Sequence, residues 1–513
     1  MKYLVSGSQM KEVDRYTIET IGIPSMVLME RAAYAVACEV LGHITTKDRI
    51  WAVCGTGNNG ADGIAAARML WLKGYSVSII LVGNKDHGTE EYQKQLSIAE
   101  NLQMDIIESD DFIPGHCEVV IDAVFGVGLS REVGGSYREL LALLPGCGPR
   151  LVVAVDIPSG ISADTGEVMG IALKADITVT FGYEKLGTVL YPGRDYSGRV
   201  IVADIGFPQN SYERTRAKFP ELYTYGPEDL SAVPARPAYS NKGTFGKVLI
   251  VAGSKNMSGA AYLSAMAAYR TGAGLVKIFT VEENRVILQE SLPEAIITTY
   301  DPEEAYELTP AFQELLEEQC GWASVIVLGP GIGNGPYTKN LVETVLANAY
   351  VPIILDADGL NTIARYPGLT SYFTENIIVT PHLGEMARLM DCTVENIRER
   401  LIPAAREYAD RFGITCVLKD AVTVAALKDQ RTYVNSSGNS AMAKAGSGDV
   451  LTGIIAGLLA LGLEEADAAA MGVYLHGCAG DLVREEKGEH GLLAGEMAGA
   501  VSQVMKRSRE EIK

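Results

Sequence analysis

The run Ala445-Gly446-Ser447-Gly448-Asp449-Val450-Leu451-Thr452-Gly453 sets two glycines and a carboxylate at the head of an apolar, helix-like stretch, Val450 to Leu463. Glycines let backbone N–H groups approach a ligand, and a helix N-terminus adds a positive dipole end, so the segment reads as an anion cradle. Asp449 makes a poor phosphate ligand but a suitable base for a hydroxyl about to react with a phosphoryl group. A Gly-rich turn whose aspartate merely caps a helix would use the same residues.

Other segments of the second half offer partners. Val251-Ala252-Gly253-Ser254 leads through Gly259-Ala260-Ala261 into an Ala-rich helix. Gly329-Pro330-Gly331-Ile332-Gly333, Asp356-Ala357-Asp358 and Thr380-Pro381-His382-Leu383-Gly384-Glu385 each follow a strand-like run, where one crevice could collect them. His382 and Glu385 also have plain structural readings, as a satisfied histidine and a helix-start acid. Lys419-Asp420-Ala421-Val422-Thr423-Val424 can be a nucleotide loop or a hairpin turn.

The first half carries three polar loops: Gly57-Asn58-Asn59-Gly60-Ala61-Asp62-Gly63, then Asp122 through Gly126-Val127-Gly128-Leu129-Ser130-Arg131, then Asp156-Ile157-Pro158-Ser159-Gly160. Each alone could be a capped turn. Together, at three strand ends, they suggest a ligand crevice, and their amide oxygens and carboxylates could hold a monovalent cation. The spacing does not fit G-x-G-x-x-G, and no paired His or nucleophile elbow occurs.

These loops need a frame. Short β-branched runs alternate with Ala-rich stretches along the chain: Arg49 to Cys54, Ser76 to Val82, Val119 to Ala123 and Leu151 to Val155, with a helix over Ala61 to Lys73. The second half repeats the pattern at 246–251, 275–280, 324–328, 352–355, 377–379 and 415–418. Alternation of this kind predicts parallel sheets with helices on both faces, hence an α/β chain. With 513 residues two or three domains are expected. The irregular Phe207 to Lys242 suggests a linker at 210–235, between domains 1–212 and 236–508. A net charge of −20 speaks against nucleic acid and anionic membranes as partners. Eight scattered cysteines without a C-x-x-C pair suggest neither zinc nor a disulfide frame, and a reduced cytoplasm. An Ala/Gly-rich helical surface permits a homo-oligomer.

Gln9-Met10-Lys11-Glu12-Val13-Asp14, Leu28-Met29-Glu30-Arg31-Ala32, the 57–63 loop and Val155 to Gly160, in that order, resemble the NAD(P)H-hydrate epimerase domain over about residues 1–210. Gly259–Ala261, Asp356–Asp358, Thr380–Glu385 and Gly446–Gly453 resemble the ribokinase-like superfamily, and within it the ADP-dependent NAD(P)H-hydrate dehydratase, over 240–500. The pair resembles the bifunctional NAD(P)H-hydrate repair enzymes. The resemblance implies a Rossmann-like three-layer N-terminal domain and a ribokinase-like three-layer C-terminal domain. It implies that Asn58, Asn59, Gly60, Ala61, Asp62, Gly126, Val127, Gly128, Leu129, Ser130, Arg131, Glu132 and Asp156 contact hydrated NADH or NADPH (NADHX, NADPHX), with Asp156 as the epimerase proton carrier. Asn59, Asp122 and Ser159 would hold K+. In the dehydratase, Ala260, Gly331, Gly333, His382 and Asp449 would meet the hydrate, with Asp449 as base. Lys419, Asp420, Ala421, Val422, Thr423 and Gly448 would hold the adenine nucleotide, ADP or ATP, with Mg2+. Three positions depart from the family pattern: Asn241 stands before Lys242-Gly243 where His is expected, Asp420 where Gly is expected, and Ser447 replaces the commoner Thr.

The implied chemistry is coherent. C6 of the hydrated nicotinamide is a hemiaminal carbon. Epimerisation needs modest acid–base help, whereas dehydration needs the hydroxyl turned into a better leaving group by phosphorylation. Two rivals use the same residues: a small-molecule kinase of the same superfamily, and a non-catalytic first half serving as a binding module.

Overall fold

The computed structural model describes residues 1–215 and 218–510, with side chains to residue 506 in the last helix. It divides into two compact units, Tyr3–Glu221 and Leu222–Lys513, the latter joined by Met1–Lys2.

The first unit is built on an all-parallel seven-stranded sheet. Edge to edge it runs Asp105–Glu108, Ser76–Leu81, Arg49–Cys54, Val119–Ala123, Leu151–Val155, Ile177–Phe181 and Arg199–Ala203. Successive side chains leave opposite faces, so each apolar strand feeds two cores. Ile50, Ala52, Ile79, Ile121 and Val153 pack under the Ser25–Leu41 and Asn58–Leu72 helices. Val53, Ile80, Val120 and Ala154 pack on the other face with Leu140, Leu144 and Leu173. This is the three-layer arrangement that the alternation of strand and helix predicts. The helix expected from Ala61 begins at Asn58, which brings Asn58 and Asn59 into its first turn. Strands Ile177–Phe181 and Arg199–Ala203 were not among the expected ones.

The second unit repeats the construction. Its strands run Ile296–Tyr300, Leu275–Val281, Lys247–Val251, Val325–Leu328, Ile353–Leu355, Ile377–Val379 and Thr415–Leu418 in parallel, then Val424–Ala426 and Thr432–Val434 antiparallel, then Leu222–Thr224. One face carries the core of Leu249, Phe279, Ile326, Leu355 and Val379. Helices Ser258–Thr271 and Ser447–Ala460 pack together, and a Cβ on Gly453 would come within 2.2 Å of the Ser264 carbonyl. A small residue there is what lets the two helices approach.

The boundary between the two units, Glu221/Leu222, falls within the stretch expected as a linker. That stretch carries a helix, Ser211–Thr215, a strand, Leu222–Thr224, and a 3-10 helix, Pro227–Ala232, while residues 216–217 lie outside the described residues. The strand escapes a periodicity reading because it is three residues long and all three are buried. Among the described residues no helix is long and apolar enough to cross a membrane.

Candidate active sites

In a parallel sheet the loops part where strand order reverses, and the resulting crevice lies at the carboxyl ends of the strands. In the first unit that point falls between Arg49–Cys54 and Val119–Ala123. The loops meet closely there: Gly55 N donates to Ala123 O at 3.1 Å, and a Cβ on Gly55 would stand 2.3 Å from Val124 O. The same opening leads to a cavity of ≈ 480 Å³ lined by Asp14, Asn58, Asn59, Asp62, Asp156 and Lys185, among others.

Asp156 anchors it. Its backbone sits at φ 69°, a left-handed conformation rare for a residue with a Cβ, and this turns the side chain at the strand end. Its Oδ1 accepts from Lys185 Nζ at 2.6 Å, Thr180 Oγ1 at 3.1 Å and Phe181 N at 3.4 Å. Lys185, fully buried, also donates to Thr180 Oγ1 at 3.0 Å and to Phe181 O at 2.9 Å, so its ammonium is saturated. A Cβ on Gly126 would lie 3.0 Å from Asn59 Oδ1 and 3.3 Å from Asp156 Oδ2, so glycine keeps the space between them open. Buried Asn59 Nδ2 has no partner among the described residues. Burial, and the charges of Asp156 and Asp14, hold the Asp62 carboxyl well above the usual range. Burial pushes Asp14 up to about 6, with Lys185 pulling against it.

Of the expected first-half contacts, Asn58, Asn59, Asp62, Gly126, Val127, Gly128, Leu129 and Asp156 line this cavity. Gly60 and Ala61 are buried beneath it, and Ser130, Arg131 and Glu132 are exposed outside its lining. Asp122 and Ser159 lie fully buried behind it: Ser159 N donates to Asp122 Oδ2 at 2.8 Å, and Ser159 Oγ accepts from Phe125 N at 2.9 Å. Burial pushes Asp122 up to about 6 against those hydrogen bonds.

In the second unit the order reverses between Lys247–Val251 and Val325–Leu328. Gly253 N donates to Pro330 O at 2.8 Å across that point. Gly331 (φ 63°) would set a Cβ 2.9 Å from Ala260 Cβ, and Gly333 N donates to Asp358 Oδ2 at 2.8 Å, so Ala260, Gly331 and Gly333 do gather. Ala357 at φ 49° separates Asp356 from Asp358. Asp356, 2% exposed, accepts at Oδ1 from Lys419 Nζ at 2.7 Å and Thr380 Oγ1 at 2.8 Å. Gly448 borders this pair: a Cβ there would lie 3.2 Å from Lys419 Nζ and 3.7 Å from Asp356 Oδ2. Asp449 stands in the first turn of the Ser447–Ala460 helix, whose N-cap Gly446 takes φ 90°. Burial and Asp356 push its carboxyl up to about 6, against the pull of Lys419. Burial draws the Lys419 ammonium down, but Asp356 and Glu385 outweigh that and leave it above the usual lysine range.

His382 caps the Leu383–Met390 helix: its Nδ1 accepts from Gly384 N at 2.9 Å and Glu385 N at 3.3 Å. That makes Nδ1 an acceptor and puts the neutral ring's proton on Nε2, which lies 3.5 Å from Glu385 Oε1 although the side chain is half exposed. The 419–423 loop is a hairpin turn between antiparallel Thr415–Leu418 and Val424–Ala426, with Val422 buried and Asp420 and Ala421 exposed. Lys419 points from it into the carboxylates.

Sequence reasoning missed Lys185, Asp356 as the lysine's partner, and His476, whose Nε2 lies 3.3 Å from Ser447 Oγ and whose pKa burial and Lys419 draw down to about 4. Asp14 stood within a quoted motif without a role. Nothing in the sequence marks Lys185, because a buried lysine has the same letter as a solvated one.

Residues 248–502 match the family model described as NAD(P)H-hydrate dehydratase, and 25–187 that of the YjeF-related protein N-terminus. The chain is 36% identical to the bifunctional NAD(P)H-hydrate repair enzyme Nnr of Thermofilum pendens, over 98% of this chain and 96% of that one. It is 35% identical to the enzyme of the same name from Moorella thermoacetica, over 99% and 98%. Among solved structures, ADP/ATP-dependent NAD(P)H-hydrate dehydratase from Bacillus subtilis, co-crystallised with ATP and Mg2+, matches at TM-score 0.47 and 32% identity over 56% of this chain and 98% of that one.

Proposed function

This chain belongs to the family of bifunctional NAD(P)H-hydrate repair enzymes, and from that premise we propose how its two sites divide the work. The chain repairs hydrated NADH and NADPH: one activity epimerises the C6 hydroxyl, and the other dehydrates the S epimer to NAD(P)H as ADP becomes AMP and phosphate. We assign the first to residues 1–212 and the second to 236–508.

The observation that carries the dehydratase reading is Asp449, a carboxyl at a helix N-terminus with its pKa pushed up to about 6, beside the Asp356–Lys419 pair. Such a group is ionised at neutral pH yet basic enough to accept a proton. The C6 hydroxyl attacks the terminal phosphorus of the nucleotide, its proton passes to Asp449, and the bond to AMP breaks. The ring nitrogen's lone pair then expels phosphate from C6, and loss of a C5 proton restores the dihydronicotinamide. Gly448 and the N–H groups of the helix start supply donors where charge grows on the phosphoryl group. Ala260, Gly331, Gly333 and the half-exposed His382 are assigned to the hydrate, and Lys419 with the backbone of 420–423 to the nucleotide. Asp356, Glu385 and Asp449 all act on one ammonium, Lys419, and Asp358 acts on Asp449. That excess of negative charge would suit a nucleotide bound with Mg2+, for which Asp356 and Asp358 would be the candidate carboxylates and which would neutralise charge on the phosphates.

In the epimerase unit, Asn58, Asn59, Asp62, residues 126–132 and Asp156 are assigned to the hydrate, and Asp156 to proton transfer at the hydroxyl oxygen. Asp122, Ser159 and the Asn59 amide oxygen are assigned to K+, which takes oxygen donors of this kind. Asp122 is fully buried and lifted to about 6, which a cation beside it would relieve. Exposed Val27, Tyr34 and Cys38, on one face of the Ser25–Leu41 helix, support a homo-oligomer. Eight free thiols suit the cytoplasm.

The test follows the return of dihydronicotinamide absorbance from both epimers with ADP, ATP or neither. Full recovery that requires a nucleotide is expected, and it identifies the donor. Recovery halting at one epimer's share would remove the epimerase assignment, and none at all would favour a kinase.

A further inference from the structure

Asp14 lies outside the stretch matched by the N-terminal family model, which begins at residue 25. It sits on the Gly7–Arg15 helix, whose position is set by Ser6 Oγ capping Gln9 N at 3.0 Å and by Gly7 N donating to Asp164 Oδ1 at 2.7 Å. Met10 and Val13 of that helix pack on Val5 and Tyr212. The anchored helix carries the Asp14 side chain into the lining of the ≈ 480 Å³ cavity that holds Asp156 and Lys185. Its helix neighbour Glu12 is paired with Arg15 at 2.6 Å and Lys218 at 2.6 Å. Asp14 makes no hydrogen bond or ion pair with any described residue. A carboxyl drawn from water without a partner costs free energy, and it suits a site where it is neutral or meets a ligand.

The contrast with Asp156 is sharp. Asp156 is ion-paired with an ammonium at 2.6 Å, with Oδ1 occupied three times over and Oδ2, on the Gly126 side, left to the cavity. Asp62 lines the same cavity, with Lys185, Asp156 and Asp14 all acting on one another there; of these carboxyls Asp156 is paired with a cation and Asp14 is not, a difference of environment that separates acid from base. Resting on the epimerase reading above, we propose that Asp14 is the second proton-transfer residue of the epimerisation, working with Asp156 at C6.

In the step this assigns, Asp14 gives its proton to the C6 hydroxyl oxygen as the ring nitrogen's lone pair forms the C6=N bond. The C6–O bond breaks and water leaves. Water adding to the opposite face of C6 gives its extra proton to Asp156, and the C=N pair returns to nitrogen. The product leaves with Asp14 ionised and Asp156 protonated. The reverse epimerisation starts from that state, and proton exchange through cavity water resets it.

The experiment uses the full-length chain and resolves R and S NADHX chromatographically, without nucleotide, for wild type, D14N and D14E. Expected is a fall in the kcat of interconversion of about 10²-fold or more in D14N, with KM within a few-fold. The wild-type rate is expected to fall as pH rises through about 6, and D14E should recover part of the rate and displace that limb, which a merely structural aspartate would not do. D14N with wild-type kcat and pH profile, or with only KM raised, would overturn the assignment while leaving the epimerase reading intact. A wild type no faster than buffer would overturn that reading and the assignment with it.

Discussion

Asp449 and Lys419 act as a pair of opposed influences. Burial and Asp356 lift the carboxyl of Asp449, the proposed base, to about 6, and Lys419 lowers it. Since the ionised form accepts the proton, dehydration should rise with pH through about 6 and level off above it. Lys419→Met removes the lowering charge, so the same limb should move to higher pH; a limb that stays in place in the rate profile would separate the two residues. Asp449→Ala should cut dehydration by about 10²–10⁴-fold, while the variant still melts higher with nucleotide than without. Retained turnover would remove Asp449 as the base. In the other unit, Lys185→Met leaves Asp156 buried without its counter-charge, a loss of about 3–5 kcal/mol that should lower that unit's urea midpoint.

At the scale of elements, the strands at 49–54, 119–123, 151–155, 377–379 and 415–418 were legible because each holds at least three consecutive apolar residues. The polar loops after them were legible for the same reason: a strand's end is where apolar residues stop. Ile177–Phe181 was not, because Thr178 and Thr180 break its run. Their hydroxyls are satisfied inside, by Ser197 O at 2.7 Å and Asp156 Oδ1 at 3.1 Å, which no periodicity reveals. The missed strand also explains the missed lysine, since it leads directly to Lys185. Gly60 shows how tightly an element can hold a loop. A Cβ there would stand 1.7 Å from Gly55 O, backbone that cannot yield. Gly60→Ala should therefore displace the Asn58–Asn59 turn and abolish epimerisation, with nucleotide-dependent dehydration of the S epimer unchanged as the internal comparison.

For the whole molecule, the lifted carboxyls add to a net charge of −20. Asp14, Asp122 and Asp449 each have folded pKa values near 6 against an unfolded value near 3.8. Their raised values favour folding below the unfolded pKa, and that contribution is lost as pH rises through 6. The ligand-free chain should accordingly melt higher at pH 6 than at pH 8. K+ should narrow the difference by supplying Asp122 with its counter-ion, and Asp122→Asn should abolish the K+ effect in a thermal melt.

The strand Leu222–Thr224 has one further consequence, in the order of synthesis. The first unit closes on residues made before Glu221, so it can fold on the ribosome as it emerges. Leu222 pairs with Thr432, so that pairing waits until the chain has been made as far as residue 432. The nascent protein therefore carries a finished epimerase beside a dehydratase whose strand edges stay open, and chaperone demand should concentrate in that interval of translation.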